Sequence, residues 1–89
     1  MNITVSIENR ENISIISIKN PPVNALSHSV RFGIMEKINQ AESNEKIQAI
    51  IITGDEKTFS AGADIKEFNK PRLKPILPIV CNAIENLSK

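Results

Sequence analysis

The 89-residue chain has no tryptophan, no tyrosine and only three phenylalanines. Surfaces that stack nucleobases need aromatic rings, so this composition speaks against a single-stranded nucleic-acid platform. Charge of one sign is missing too. Eleven Lys and Arg nearly cancel ten Asp and Glu, leaving a formal net charge of +1. No one-signed field steers the chain toward nucleic acid or an anionic membrane. The lone cysteine, Cys81, excludes an intrachain disulfide and fits a reducing compartment. Its flanks, Ile79-Val80 and Asn82-Ala83-Ile84, suggest a small core residue. No stretch approaches the ~20 apolar residues of a membrane span. Met1-Asn2-Ile3-Thr4-Val5 lacks the basic region and apolar run of a secretory signal, and Asn86-Leu87-Ser88-Lys89 is not a convincing targeting tag. The expectation is a soluble, intracellular protein.

What is present amounts to one small domain. Such a chain buries a little over roughly 60% of its unfolded surface, so an independent core is modest. Asn2 to Glu8 alternates Ile3, Val5 and Ile7 with polar neighbours, the period-two pattern of a half-buried strand. Asn9-Arg10-Glu11-Asn12 reads as a polar turn. Ile13 to Lys19 alternates again, through Ile13, Ile15 or Ile16, and Ile18, which makes a hairpin the economical reading. Asn20-Pro21-Pro22 ends that strand because proline cannot donate to a ladder. Ser27 is placed to cap a helix. Val30, Ile34, Ile38 and Ala41 recur at helical spacing beside Met35, with Arg31, Glu36, Lys37 and Gln40 on the other face, through about Glu42. Gly33 costs such a helix up to ~1 kcal/mol relative to alanine, which implies a packing reason. Ile47 to Thr53 is a strand whose run Ala49-Ile50-Ile51-Ile52 suggests burial on both faces. Strand, helix and strand in that order imply a right-handed α/β crossover. Asp64 to Phe68 is a short helix. Leu73 to Ser88 is a second amphipathic helix, starting late near Pro75 or Pro78, with Val80, Ala83, Ile84 and Leu87 as its apolar stripe. Nothing marks an internal domain boundary.

The chain is organised around Ile47 to Phe68. An apolar run ends at Gly54, a polar loop follows, and Phe59-Ser60-Ala61-Gly62-Ala63-Asp64 opens onto a helical turn. The small residues let a ligand approach the main chain closely, and the turn can present backbone N–H groups. No histidine, cysteine or carboxylate pair stands beside it as an obvious nucleophile or base. The local chemistry is electrostatic cradling rather than covalent attack. On pattern alone, an ordinary strand-to-helix turn, with small residues for packing and Asp64 as a cap, is the better account of these residues. Lys57 and Lys66 alone are most simply solvated charges. His28 sits in the first turn of a helix, and no His, Cys or Asp spacing suits a metal.

Phe59-Ser60-Ala61-Gly62-Ala63-Asp64-Ile65-Lys66-Glu67-Phe68 closely resembles the signature of the enoyl-CoA hydratase/isomerase (crotonase) family. Asn20-Pro21-Pro22-Val23-Asn24-Ala25-Leu26-Ser27 resembles that family's earlier turn, in the form seen in the hydratase part of multifunctional fatty-acid oxidation enzymes. The resemblance spans about Ile13 to Lys89 and covers the N-terminal part of a longer family domain. It implies a crotonase-like α/β fold, N-terminal portion only: β-hairpin, helix, buried strand, oxyanion turn and C-terminal helix. It implies an acyl-CoA as substrate, with coenzyme A part of that substrate and no separate cofactor or metal. By the same resemblance, the Ala63 N–H is one of two backbone donors to the thioester oxygen. Lys57 and Lys66 lie near the CoA phosphates. Ser60 and Ala61 lie against the adenine end, and Gly62 and Asp64 complete the binding turn. Val23 stands where many relatives carry a basic residue, an alternative seen in some members, and this weakens the case for a phosphate contact at the earlier turn.

The resemblance also says what this stretch omits. The second oxyanion donor and the two glutamates of hydratase members belong to later segments. None of Glu36, Glu42, Glu67 or Glu85 matches those glutamates, and each reads as a solvated face residue. The chain is therefore expected to be an N-terminal fragment, inactive alone and marginal in stability or associating through its open sheet edge. Full-length members form homo-oligomers, trimers or hexamers. The alternatives are a non-catalytic CoA-binding or assembly module, an inactive truncated gene product, or a small α/β protein unrelated to CoA. A cytoplasmic location is expected, or a mitochondrial or peroxisomal one in a eukaryote.

Overall fold

A computed structural model describes residues 4–55, 58–60, 62–67, 71 and 74–89. Its elements run in the order β1 (Val5–Arg10), β2 (Ile13–Ile18), α1 (His28–Ser43), β3 (Ala49–Thr53), a 3-10 turn (Ile65–Glu67) and α2 (Leu77–Glu85). β1 and β2 form the expected hairpin, antiparallel from Val5↔Ile18 to Arg10↔Ile13. The strands extend closer to the turn than the sequence suggests, leaving only Glu11 and Asn12 between them. Glu11 takes the left-handed conformation that a tight reversal needs, with φ 54°. β3 pairs with β2 in parallel, from Ile13↔Ala49 to Ser17↔Thr53. The parallel pairing requires a crossover between them, and α1 supplies it.

β2 is the middle strand of the sheet. Ser14, Ile16 and Ile18 point to the buried face, which settles the alternation that Ile15 and Ile16 left open. Ser14 is tolerated there because its hydroxyl donates to Asn9 Oδ1 at 2.6 Å. Val30, Ile34 and Ile38 of α1 pack with Val5, Ile16, Ile18 and Val80 in one core cluster, while Ala41 is buried on the same helix face. Ser27 caps α1 as its position predicts, accepting from Val30 N. α2 starts at Leu77 with Pro78 in its first turn, where a missing N–H costs nothing. Ala83, Ile84 and Leu87 pack against the cluster beside buried Val80. Lys89 closes the far end by donating to Ala41 O, Glu42 O and Asn44 O, of which Ala41 O and Asn44 O also accept from the backbone N–H groups of Asn44 and Ile47. No helix among the described residues is long and apolar enough to cross a membrane.

Three burial expectations need correction. β3 is not buried on both faces: Ala49 and Ile51 are exposed, Ile51 at 46%. It is an edge strand, and among the described residues nothing pairs with its far side. The apolar run therefore reports a strand suited to a sheet interior, not one enclosed here. Cys81 is exposed rather than in the core. One residue past Val80 is about 100° further round a helix, which carries Cys81 off the packed stripe. Arg31 is buried at 7% exposure, although charge places it on the polar face.

Gly33 has the packing reason its position implies. A Cβ there would lie 2.8 Å from both Cβ and Cγ2 of Val5, so α1 sits against β1 at this point. Gly33→Ala is expected to destabilise the chain by about 1–2 kcal/mol, because overpacking outweighs the gain of up to ~1 kcal/mol in helix propensity. Denaturant melts of Gly33→Ala, Val5→Ala and the double variant check this. The double variant should lose less than the sum of the two single losses, whereas simple additivity would contradict the contact.

Candidate functional site

The two turns singled out in the sequence leave the carboxyl ends of adjacent parallel strands, β2 and β3. Open parallel sheets place ligands at that end. A crevice of about 210 Å³ opens there, lined by Ser17, Ile18, Lys19, Pro21, Asn24, Gly54 and Asp55. Glycine is required at 54, since a Cβ would collide with Thr58 O and come within 2.6 Å of Phe59 Cα. Asp55 then closes the turn, accepting from Thr58 N at 2.7 Å while its own N–H donates to Thr58 O at 3.0 Å.

Asn24 joins the two turns. It is 1% exposed, with φ 54°, a left-handed conformation that asparagine tolerates better than most residues. Its Nδ2 lies within hydrogen-bond distance of Ile18 O (3.1 Å), Thr58 O (3.2 Å) and Phe59 O (3.2 Å). Its Oδ1 accepts from Asn20 N at 2.7 Å. One side chain thus satisfies the end of β2, the first turn and the second turn together. Ser60 adds a second link. Its hydroxyl donates to Asn24 O at 2.6 Å and accepts from Gly62 N at 3.0 Å. The sequence reading missed Asn24 as a site-builder. The available signal was an asparagine in a loop after Pro21-Pro22, where a positive φ is wanted.

Within the small-residue turn, Gly62 and Asp64 are half-buried. Gly62 has φ +98°, and a Cβ added there would meet nothing within 4 Å. Gly62 O accepts from Leu26 N at 2.7 Å, and Leu26 and Ala63 form an isolated parallel bridge. Ala63 is exposed, and among the described residues no group accepts from its N–H. Asp64 caps the 3-10 turn: Oδ1 accepts from Lys66 N at 2.9 Å and its carbonyl accepts from Glu67 N at 3.1 Å. Lys66 is exposed. Two further residues singled out in the sequence, Lys57 and Ala61, lie outside the described residues. Ser60, Gly62, Ala63 and Asp64 come together on one turn, with Val23 (45% exposed) and Phe59 (57% exposed) as exposed apolar residues on the two joined loops.

Glu67 is not the solvated residue the sequence suggests. Its Oε1 accepts from Arg31 Nη1 at 2.9 Å and its Oε2 from His28 N at 2.8 Å. Partial burial pushes the Glu67 carboxyl up, but the His28 N–H and the Arg31 guanidinium more than offset it, so its pKa lies below the ordinary glutamate value. Arg31 also donates to Leu26 O and Pro75 O, both at 2.7 Å. His28 Nε2 lies 2.8 Å from Lys74 O. Among the described residues no group of three or more His, Cys, Asp or Glu is placed to hold a metal ion.

A hairpin, a helical crossover to a parallel strand and an exposed backbone donor on a small-residue turn define the N-terminal part of a crotonase-like α/β domain. The comparisons place it further. The sequence model of the enoyl-CoA hydratase/isomerase family matches residues 8–75. The peroxisomal bifunctional enzyme of Danio rerio is 41% identical over 76 residues, covering 85% of this chain and 11% of that protein. A probable enoyl-CoA hydratase of Bacillus subtilis is 43% identical over 56 residues, covering 63% of this chain and 22% of that protein. The crystal structure of a probable enoyl-CoA hydratase/isomerase from Mycobacterium abscessus matches with TM-score 0.71 at 35% identity, covering 76% of this chain and 27% of that one. The chain belongs to the enoyl-CoA hydratase/isomerase family. It spans about a tenth of the Danio rerio relative and about a quarter of the solved structure.

Two expectations follow from the geometry. Asn24→Ala should cost about 2–4 kcal/mol, because it leaves buried carbonyls and Asn20 N without their partner and puts alanine at a positive φ. A loss below ~1 kcal/mol in denaturant melts would contradict the bridging role. For Glu67, a carboxyl whose folded pKa is lowered contributes stability above its unfolded value and loses it as pH falls through the folded pKa. The wild type should therefore lose stability more steeply than Glu67→Gln as pH drops below the ordinary glutamate range. Parallel acid limbs in pH-dependent melts would refute this.

Proposed function

We propose that this chain carries half of an acyl-CoA oxyanion hole, in which the Ala63 N–H donates to the thioester oxygen. The observation that carries this reading is an exposed backbone N–H with no described acceptor, beside open space over Gly62. When water or a base attacks the acyl chain of an enoyl thioester, negative charge develops on the carbonyl oxygen. A donor already aimed at that oxygen stabilises the charge without reorganising, and one such donor is worth about 2.7–4 kcal/mol in other enzymes. Because the donor is main chain, changing the Ala63 side chain would scarcely report on it.

The rest of the turn takes the coenzyme. Lys66 and Lys57 offer point charges to its phosphates, while Ser60, Ala61, Gly62 and Asp64 shape the surface on which its adenine end rests. Coenzyme A enters as part of the substrate, and no separate cofactor is needed for this chemistry. General acid and base groups must come from elsewhere. Glu67 is held by Arg31 and His28 N, and Glu36 and Glu85 are exposed on helices. The whole protein would then be an enoyl-CoA hydratase or isomerase of fatty acyl-CoA metabolism, working as a homo-oligomer in an intracellular compartment, whereas the 89-residue stretch alone would not turn over. A second reading, a non-catalytic CoA-binding or assembly module, is favoured by the open edge of β3.

Titration of the isotopically labelled chain with butyryl-CoA tests the site. The amides of Gly62, Ala63 and Asp64 should shift, with the Ala63 proton moving downfield, while crotonyl-CoA is not hydrated. A folded sample in which none of these amides responds would sink the acyl-CoA reading. Sustained hydration by the purified chain would sink the claim that its acid and base lie elsewhere. Equal Ala63 responses to butyryl-CoA and to CoA itself would favour the binding module.

A further inference from the structure

Building on the oxyanion reading, we infer that Arg31 and Glu67 are positioning residues that aim the Ala63 N–H, acting through the backbone of Leu26. Ala63 N and Gly62 O belong to one peptide unit. That unit is planar and trans, so its N–H points opposite to its C=O. Gly62 O accepts from Leu26 N at 2.7 Å. This single bond fixes the peptide plane on its inner side and turns the Ala63 N–H outward, away from Leu26. A carbonyl engaged in this way also polarises its own peptide, which strengthens the N–H as a donor.

The aim is then only as good as the hold on Leu26, and Arg31 provides that hold. Its Nη1 donates to Leu26 O at 2.7 Å and to Glu67 Oε1 at 2.9 Å. Its Nε donates to Pro75 O at 2.7 Å. Glu67 lies four residues beyond Ala63, and its other oxygen accepts from His28 N, two residues beyond Leu26. The Leu26–His28 backbone and the Ala63–Glu67 segment are therefore clamped together just beyond the bridge. A guanidinium suits this task because it presents several donors in a rigid fork, which an ammonium cannot reproduce. The guanidinium is the sheltered half of the clamp, with Arg31 7% exposed and the Glu67 side chain 33% exposed. A charge with no part in the core would not be expected at this depth without such partners. His28 on α1 also meets the pair, its N–H donating to Glu67 Oε2 while its Nε2 lies 2.8 Å from Lys74 O before α2.

The experiment separates aim from fold. Butyryl-CoA carries the thioester oxygen, and S-butyl-CoA, a thioether, lacks it. The difference between the Ala63 amide shifts with the two ligands reads the N–H pointing at oxygen. Binding of S-butyl-CoA reads the integrity of the coenzyme surface. Arg31→Lys is expected to bind S-butyl-CoA as the wild type does but to lose at least about half of the thioester-specific Ala63 shift, since small misplacements of a preorganised donor are costly. Glu67→Gln, which keeps an acceptor without the charge, should lose less. Retention of the full shift in Arg31→Lys would overturn the inference. If Arg31→Lys does not fold, Arg31→Met combined with Glu67→Gln removes both charges, leaves none buried alone, and should show the same loss. In the wild type, the scalar coupling across the hydrogen bond between Leu26 N and the Gly62 carbonyl carbon must be present, and its absence also overturns the inference. A wild type with that coupling but no thioester-specific shift would instead remove the oxyanion reading itself.

Discussion

The amide of Asn24 is the contact on which the site depends. Two loops leave neighbouring parallel strands, and loops of that kind expose backbone groups that neither strand can satisfy. Asn24 answers them from one buried point, facing the carbonyls of Ile18, Thr58 and Phe59 and the N–H of Asn20. Buried polar groups are costly unless paired, so the loops are most stable when both meet this one amide. Ser60 then couples Asn24 O to Gly62 N, and Leu26 N closes onto Gly62 O. The small-residue turn is thus tied to the earlier loop by several hydrogen bonds on its inner side.

The charges near the site serve the same end. Arg31 and Glu67 come from segments far apart in sequence, and each is satisfied by backbone groups as well as by the other. A buried ion pair left to itself gains little, since desolvation consumes most of the attraction. Among the described residues the guanidinium donates to two carbonyls and a carboxylate, which ties α1 to the backbone at Leu26 and Pro75. Under the proposed oxyanion role this arrangement has a purpose: a backbone donor stabilises charge best when its direction is set before the ligand arrives.

Much of the architecture was legible in the residues. The alternation in β1 and β2, the 3.6-residue stripe of Val30, Ile34, Ile38 and Ala41, the Ser27 cap and the late start of α2 beside Pro78 are all local patterns, and local patterns are written directly in a chain. The tight run from Ser60 to Asp64 was legible as a turn for the same reason: glycine and alanine leave a backbone that can be approached closely. Burial was read less well. Ile51 was expected inside because it is isoleucine, but β3 is an edge. Arg31 was expected outside because it is arginine, yet it shares a helix margin with Ile34 and Ile38 and has partners that only the fold brings near.

By itself, then, the sequence determined the elements, their order, the need for a crossover between β2 and β3, and the small-residue turn with its family signature. These follow from steric and periodic rules acting over a few residues. Tertiary structure alone decided that Asn24 spans both loops, that Glu67 answers Arg31 across 36 positions, and that Leu26 N closes onto Gly62 O. Those outcomes depend on which unsatisfied donors and acceptors meet once the strands are paired. Hydrogen bonds between distant residues leave no period in a sequence, because either partner alone is compatible with an ordinary loop.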